Sequence, residues 1–130
     1  MFHGGTIFVD NATSYIDVRH QVSLGSSKTV KSKLAFERDA CDSGVVISSH
    51  HTDNGIFTSK EFMEVVLHQD QKVRFSRVGA AHQNGIAEWA IRTIMTMART
   101  MLLHAAMHAP DLVTKELCPM AMNHVVWLHN

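Results

Sequence analysis

The sequence has no surplus of either charge and no long apolar run. Its 12 basic residues balance 12 acidic ones, which gives a formal net charge of +0 with the histidines neutral. Proteins that contact phosphates usually carry surplus Lys and Arg, so composition alone does not indicate a nucleic-acid partner. No segment approaches the roughly 20 apolar residues of a membrane span, and residues 1–5 lack the basic start and apolar run of a signal peptide. We therefore expect no membrane partner and a protein that is not secreted.

Cysteine is also scarce. Cys41 and Cys118 lie in unrelated segments and show neither CxxC nor CxxxC spacing. A zinc knuckle or a disulfide framework needs more cysteines at closer spacing, so neither is expected. Reduced, buried thiols in an intracellular protein are the simpler interpretation.

What the sequence does contain is typical of one globular domain, residues 1–130, with 45% apolar and 18% charged residues. Apolar residues recur with strand and helix periods. The resulting order, β-β-α-β-α-β-α-α, indicates a mixed α/β fold in which a hairpin precedes a right-handed crossover. The predicted strands are 6–9, 15–22, 45–50 and 72–75, and the predicted helices are 26–41, 58–66, 86–107 and a last one from 111 onwards.

Local patterns predict further details of these elements. Ser26 and Ser27 are candidate N-caps of the first helix, and the apolar run at 45–47 suits a strand in the centre of a sheet. Thr58 followed three residues later by Glu61 matches a capping box. The expected buried residues of the first helix are Val30, Leu34, Ala35 and Cys41, and those of the last helix are Met120, Val125, Val126 and Trp127.

Two short segments carry side chains suited to chemistry. Asp53 follows the third strand directly and begins the turn Asp53-Asn54-Gly55. Ligand sites of open α/β sheets lie at such strand ends, although a lone Asp-Asn-Gly is more often only a tight turn. Glu88 lies in the first turn of a helix, after a polar loop that ends at Gly85. Taken alone, an early glutamate is more often a partner of the helix dipole.

The two segments together change this assessment. His-Thr-Asp-Asn-Gly at 51–55 and Asn-Gly-Ile-Ala-Glu at 84–88 resemble the catalytic core of copia-type retrotransposon integrases, in the retroviral integrase superfamily. The resemblance implies an RNase H-like mixed sheet flanked by helices. It covers nearly the whole chain and also includes Arg92-Thr93, Met97-Ala98-Arg99, Gly5 to Asp10 with Ser14-Tyr15, Pro119 to Met122, and Leu128 to Asn130.

In this family a D,D,E triad binds two divalent metal ions. The resemblance makes Asp53 the second carboxylate and Glu88 the third, with Mg²⁺ or Mn²⁺ as the cofactor. Mg²⁺ is a hard cation that prefers oxygen ligands, which explains the carboxylates. Two such ions can activate an attacking hydroxyl and stabilise the leaving oxygen of a phosphoryl transfer.

The resemblance also implies the partners. The DNA-binding residues would be Gln83 and Asn84 in the loop, and Arg92 and Arg99 on the helix face that carries Glu88. An ion pair between Arg92 and Glu88 is an alternative role for this arginine. The partners of the full-length family are element ends and target DNA, together with further copies of the integrase. Such a protein is expected in the nucleus or cytoplasm.

The first carboxylate of the triad is expected to be absent. Phe8-Val9-Asp10 with Ser14-Tyr15 resembles the second strand of the family and its turn, so the first strand and its aspartate would lie upstream of Met1. Asp10 would then be a turn residue that accepts hydrogen bonds from its own turn. A second possibility is that Asp10 substitutes for the missing carboxylate and gives a compact nuclease.

Two functions of different classes follow. The first is DNA integration by polynucleotidyl transfer (3′ end processing and strand transfer), with this chain an inactive or incomplete fragment of the enzyme. The second is a decayed or recruited relic that acts as a nucleic-acid-binding or protein-assembly module without catalysis. The neutral net charge fits the second function, as does Trp89, where relatives usually carry Arg or Lys.

Overall fold

The structure is a computed structural model that describes residues 2–77 and 84–130. By internal contacts the chain forms two compact units, Met1–Val22 with Ile86–Asn130, and Ser23–Gly85. The single domain over residues 1–130 stays a prediction. The predicted order of strands and helices is confirmed. The strands are β1 (Gly4–Val9), β2 (Ile16–Gln21), β3 (Ser49–Thr52) and β4 (Lys72–Phe75), and the helices are α1 (Ser26–Asp42), α2 (Lys60–His68), α3 (Gly85–His108) and α4 (Leu117–His129). None of the described helices is long and apolar enough to cross a membrane.

The first unit begins with the predicted hairpin. β1 pairs antiparallel with β2 in a register that runs from Gly4 opposite Gln21 to Val9 opposite Ile16. The turn is closed by backbone bonds from Asp10 N–H to the Tyr15 carbonyl and from Ser14 N–H to the Asp10 carbonyl, each 2.9 Å. The predicted hairpin is therefore confirmed.

The core of this unit lies between the hairpin and the two C-terminal helices. Ala90, Ile94 and Ala98 recur every four residues of α3, so they share one face and pack with Ile16 and Val125. The side chain of the last residue, Asn130, bonds both backbone groups of Ile16, at 2.9 Å to its N–H and 2.7 Å to its carbonyl. These bonds fix the end of α4 against β2.

The prediction for the buried face of α4 is wrong in part. Val125 is buried and Val126 is half-buried, but Met120 is 65% exposed and Trp127 72% exposed. Only a narrow face of α4 meets the hairpin and α3, and the positions at 120 and 127 lie off that face. The small residue Ala121 and Met122 pack there instead.

The second unit contains α1, β3, a 3₁₀ helix (Ile56–Thr58), α2 and β4. β3 and β4 are parallel, with Ser49 opposite Lys72 and Thr52 opposite Phe75. The predicted third strand at 45–50 begins too early, because Val45 and Val46 are 55% and 83% exposed. The Val45 N–H bonds the Ala40 carbonyl at 2.9 Å and so belongs to the end of α1, where Gly44 has a φ of +82°.

The polar faces and caps of this unit also differ from the predictions. The buried residues of α1 are Thr29, Ser32 and Lys33, whereas Leu34 is 39% exposed. The predicted apolar stripe is wrong because α1 turns polar side chains toward its neighbours. The N-caps are Gly25 for α1 and Ser59 for α2. Ser59 replaces the predicted cap because the residue before it already belongs to the 3₁₀ helix.

Both cysteines are free thiols, as predicted. Both are exposed, however, so the prediction of buried thiols is wrong. Cys41 lies in the last turn of α1 and Cys118 in the first turn of α4, where few side chains from other elements reach.

Candidate functional site

Asp53 lies where the sequence predicted, directly after β3. Its side chain is exposed, and its Oδ1 accepts a hydrogen bond from the Gly55 N–H at 3.2 Å. Within the described ranges this is the one hydrogen bond to the Asp53 carboxylate. Asp53 therefore both begins a tight turn and presents an exposed carboxylate at the end of the strand. The carboxylate has further lone pairs that can accept another donor or a cation.

The turn after Asp53 is fixed by side-chain bonds. The Thr58 hydroxyl donates to the Gly55 carbonyl at 2.9 Å. The Asn54 side-chain amide donates to the backbone carbonyl of Ser76, the residue after β4, at 2.7 Å. A Cβ at Gly55 would lie 3.3 Å from the Asp53 Oδ1, so a side chain there would press on the carboxylate. The turn that carries Asp53 is thus bonded to the ends of both strands.

Ser76 is a site residue that sequence reasoning missed. It is buried, its N–H bonds the Thr52 carbonyl at 2.9 Å, and its Oγ lies 3.2 Å from the His51 Nε2. With Asn54 bonded to its carbonyl, Ser76 joins the end of β4 to the turn at Asp53. A serine after a short strand gives no signal of this role, because its partners come from residues more than 20 positions earlier.

Glu88 lies in the first turn of α3 and is exposed. Asn84 immediately precedes the helix and is half-buried, and Gln83 lies outside the described residues. Arg92 and Arg99 are both exposed on α3. At 3.6 residues per turn they fall within about 40° of Glu88 around the helix axis, so all three share one face.

The alternative of an ion pair between Arg92 and Glu88 is not observed in the described part of the chain. The carboxylate and the guanidinium therefore both remain open to solvent. Trp89 lies about 100° around the helix axis from Glu88. It is 55% exposed and makes an edge contact with the His129 ring at a centroid distance of 6.4 Å.

Asp10 behaves as a turn residue, which confirms that part of the prediction. Its Oδ2 accepts hydrogen bonds from the Thr13 hydroxyl and from the Thr13 N–H, the latter at 2.9 Å. Both bonds lower the pKa of the Asp10 carboxyl, and the bond from the Thr13 hydroxyl has the larger effect. Its ionised form is thus already engaged by its own turn.

The two proposed triad members belong to different units, and the structure describes each unit by itself. Asp53 lies in Ser23–Gly85 and Glu88 in Ile86–Asn130. Across residues 2–77 and 84–130, no group of three or more His, Cys, Asp or Glu side chains is arranged to hold a metal ion. The carboxylate oxygens of Asp53 and Glu88 are nevertheless accessible donors of the kind that Mg²⁺ prefers.

Comparison with protein-family models gives no match, and comparison with curated proteins gives none either. Solved structures do match. An integrase assembly, the simian T-cell lymphotropic virus intasome in complex with PP2A regulatory subunit B56 gamma, matches with a TM-score of 0.63 and 21% identity. The match covers 89% of this chain but 39% of that chain, so this chain spans well under half of it.

Two structures of the HTLV-2 integrase catalytic core domain in complex with magnesium also match. The dimeric form has a TM-score of 0.57 and the trimeric form 0.58, each at 19% identity. Both matches cover 95% of this chain, and they cover 71% and 70% of the HTLV-2 chains. At this level of identity the likeness is one of fold. The chain therefore has the mixed α/β, RNase H-like fold of retroviral integrase catalytic cores.

Proposed function

We propose that this chain is part of the catalytic core of a copia-type retrotransposon integrase, which joins element DNA to target DNA by polynucleotidyl transfer. The observation that carries the proposal is Asp53, an exposed carboxylate at the end of a parallel strand in a chain with an integrase-like fold. A tightly bonded turn holds it without occupying its outer lone pairs. This combination suits a metal ligand better than a surface turn residue.

In the proposed site Asp53 and Glu88 are the metal-binding carboxylates, and the ion is Mg²⁺ or Mn²⁺. The HTLV-2 core, which has the same fold, was solved in complex with magnesium. Bound divalent ions would supply activation of the attacking hydroxyl and neutralisation of charge on the leaving oxygen. Each residue offers carboxylate oxygens to a cation, Asp53 directly after β3 and Glu88 in the first turn of α3.

Arg92 and Arg99 are proposed to bind DNA phosphates along the exposed face of α3, and Gln83 and Asn84 to position the terminal nucleotides. Both guanidiniums are exposed and share the face of Glu88, so a backbone bound along the helix would pass the carboxylate. Access to chromosomal DNA would be needed for the reaction, so we propose that the protein acts in the nucleus after synthesis in the cytoplasm.

Two carboxylates leave two metal ions short of ligands, and Asp10 is engaged by Thr13. We therefore expect this chain alone to bind metal weakly and to show no strand transfer. Robust Mg²⁺-dependent joining by the chain, unaffected by Asp10→Asn, would contradict this expectation.

DNA binding tests the proposed face directly. Fluorescence anisotropy with a labelled duplex would be measured over a range of salt concentrations for the native chain, Arg92→Ala and Arg99→Ala. Each substitution is expected to lower the slope of log K against log salt by about 0.9, the value for one lost phosphate contact. Arg38→Ala is the matched control, because Arg38 is an exposed arginine of α1 that is ion-paired with Asp39 at 3.1 Å. Equal effects of all three substitutions would contradict the proposed DNA-binding face.

A second candidate function is a non-catalytic assembly or nucleic-acid-binding module. It is favoured by apolar side chains exposed on α4, where Met120, Trp127 and Leu128 are 65%, 72% and 55% exposed. Large apolar groups on one short helix are typical of a protein interface. The integrase structures of this fold include dimeric and trimeric forms, and we propose self-association for this chain too.

DNA binding with and without Mg²⁺, measured for the native chain and for Asp53→Asn, separates the two functions, and sedimentation checks that both proteins associate alike. An assembly module would associate equally well with Asp53→Asn, and its binding to DNA would be independent of Mg²⁺. An integrase core would keep its association but lose metal-dependent behaviour in Asp53→Asn. Metal-dependent DNA binding that requires Asp53 would exclude the purely non-catalytic function.

A further inference from the structure

A buried charged cluster lies at the centre of the Ser23–Gly85 unit. The side chain of Lys33 is 0% exposed, and its ammonium nitrogen lies within hydrogen-bond distance of three side-chain oxygen atoms. Its Nζ lies 2.6 Å from the Gln69 Oε1 and 2.7 Å from the Gln71 Oε1. The third acceptor is Glu37 Oε1, also at 2.7 Å. A lysine is almost never completely buried unless it is paired in this way.

Glu37 extends the cluster to β3. Its side chain is 10% exposed, and its Oε1 accepts hydrogen bonds from His50 Nε2 at 2.7 Å and from Gln71 Nε2 at 2.9 Å. Burial raises the pKa of the Glu37 carboxyl, but the hydrogen bonds of His50, Lys33 and Gln71 and the charge of Lys33 outweigh it and lower the pKa to about 2. The carboxylate therefore stays ionised at any physiological pH.

The cluster ties α1 to the beginning of both strands of the parallel pair. Through His50 it holds β3, and through Gln69 and Gln71 it holds the turn that leads into β4. The Gln71 amide also donates to the Ile47 carbonyl at 3.0 Å, just before β3. Asp53 comes at the opposite end of these strands, so its position depends on how they are set against α1.

Within the described part of this unit, few apolar contacts help to set the strands against α1. Only two apolar side chains are fully buried in the unit's described part, Phe62 and Val66, and the other buried residues are polar. A parallel pair with four residues in each strand has little stability of its own. A buried ion pair often contributes little net stability and instead favours one geometry over alternatives.

We propose that Lys33, Glu37, His50 and Gln71 form a positioning cluster that sets β3 and β4 against α1 and thereby places Asp53 for metal binding. The role of the cluster in metal binding rests on the proposed function. Its role in setting β3 and β4 against α1 does not depend on that function. His50, three residues before Asp53, is the link between the cluster and the strand that ends at the site.

The test uses the full chain and three variants. His50→Leu removes the link to β3 but leaves the Lys33–Glu37 pair intact, and His50→Gln keeps a donor for Glu37. Gln71→Met, which removes the ties to Glu37, Lys33 and the Ile47 carbonyl, is the second disrupting variant if His50→Leu fails to fold. His68→Leu, at an exposed histidine in the last turn of α2, is the matched control.

Backbone amide hydrogen exchange is measured first, without metal, at 52–55 and across α2. His50→Leu is expected to accelerate exchange at 52–55 by about 10-fold, as for loss of one hydrogen bond to a charged group, with α2 unchanged. His50→Gln and His68→Leu are expected to exchange like the native chain. If residues 52–55 exchange as slowly in His50→Leu as in the native chain, the positioning role is overturned. If His50→Leu fails to fold, the same result in Gln71→Met overturns it.

Mn²⁺ affinity is measured second, because a merely stabilising cluster would not change it in a folded variant. His50→Leu is expected to bind Mn²⁺ about 10-fold more weakly than the native chain, and His50→Gln to restore most of the affinity. An unchanged affinity in His50→Leu would overturn the link to the metal site. If Asp53→Asn leaves Mn²⁺ binding unchanged, the proposed function fails, and hydrogen exchange still decides whether the cluster holds the turn.

Discussion

Glu37 shows how strongly one residue can depend on its neighbours. Its folded pKa of about 2 lies below the ordinary value of 4.5. A carboxyl with a depressed pKa contributes stability that is complete above its unfolded pKa and is lost as the pH falls through its folded pKa. We therefore expect the free energy of unfolding to decline between pH 4.5 and pH 2, by about 2 kcal/mol from Glu37 after allowance for solvent screening.

Urea denaturation at a series of pH values measures this effect. Glu37→Gln should be less stable than the native chain at neutral pH and should lose less stability on acidification. Glu64→Gln is the control, because Glu64 is 64% exposed and pairs only loosely with Lys60 at 3.7 Å. Parallel pH profiles for Glu37→Gln and the native chain would contradict the assignment.

Which site residues could be predicted from the sequence depends on how local their signals are. Asp53 and Glu88 are predicted because two local segments, 51–55 and 84–88, together carry the resemblance to integrases, and their role as metal ligands stays a prediction. Sequence reasoning misses Lys33 because two of its three partners lie 36 and 38 positions away, and Glu37 at i+4 alone does not indicate burial. It misses Ser76 because the partners of that residue lie 22 to 25 positions earlier. A lysine in a helix is predicted to be exposed to solvent unless a partner from another element is known.

At the scale of elements, the hairpin depends on a close approach of its two strands. A Cβ at Gly5 would lie 2.7 Å from the Arg19 backbone carbonyl oxygen, a contact that the strand could relieve only by moving. We expect Gly5→Ala to destabilise the chain by about 1–3 kcal/mol, as overpacked substitutions do. The measurement is the urea midpoint, with Gly85→Ala as control because nothing lies within 4 Å of its added Cβ.

The hairpin turn makes a second element-scale prediction. Thr13→Val removes the hydroxyl bond to Asp10 and the bond that the hydroxyl accepts from the Tyr15 N–H at 3.2 Å, and it keeps the side-chain shape. It should cost about 1–2 kcal/mol, the net value of one or two hydrogen bonds, and raise amide exchange within 10–15 first. Thr100→Val is the control, since the Thr100 hydroxyl bonds only the Thr96 carbonyl of its own helix, at 2.9 Å. If the amides of residues 10–15 exchange as slowly in Thr13→Val as in the native chain, the hydroxyl bond does not stabilise the turn.

Element types were easier to predict than their ends and faces. The 3.6-residue period and Pro110 located α3 to within one residue at each end. β3 was predicted too early because Val45 and Val46 carry the apolar signal, whereas the length of the strand is set by pairing with β4. The prediction for the buried face of α1 is wrong for a related reason, because it leaves out Lys33, whose partners Gln69 and Gln71 come from the turn before β4.

At the scale of the whole molecule, the formal net charge of +0 limits electrostatic attraction to DNA. The chain contains ten histidines, the residue type whose charge changes between pH 5 and pH 8. We therefore predict that affinity for a non-specific DNA duplex rises on going from pH 7.5 to pH 6. Anisotropy titrations at fixed ionic strength check this, and equal affinity at the two pH values would contradict it.

We propose above that Asp53 and Glu88 are ligands of a divalent metal ion. A Mn²⁺ titration of the full chain, with free Mn²⁺ followed by electron paramagnetic resonance, measures the contribution of each carboxylate. Asp53→Asn and Glu88→Gln are each expected to weaken binding by about 10-fold or more, whereas Asp10→Asn is expected to leave it unchanged. Unchanged binding in Asp53→Asn, or an equal loss in Asp10→Asn, would show that the metal ligands are assigned wrongly.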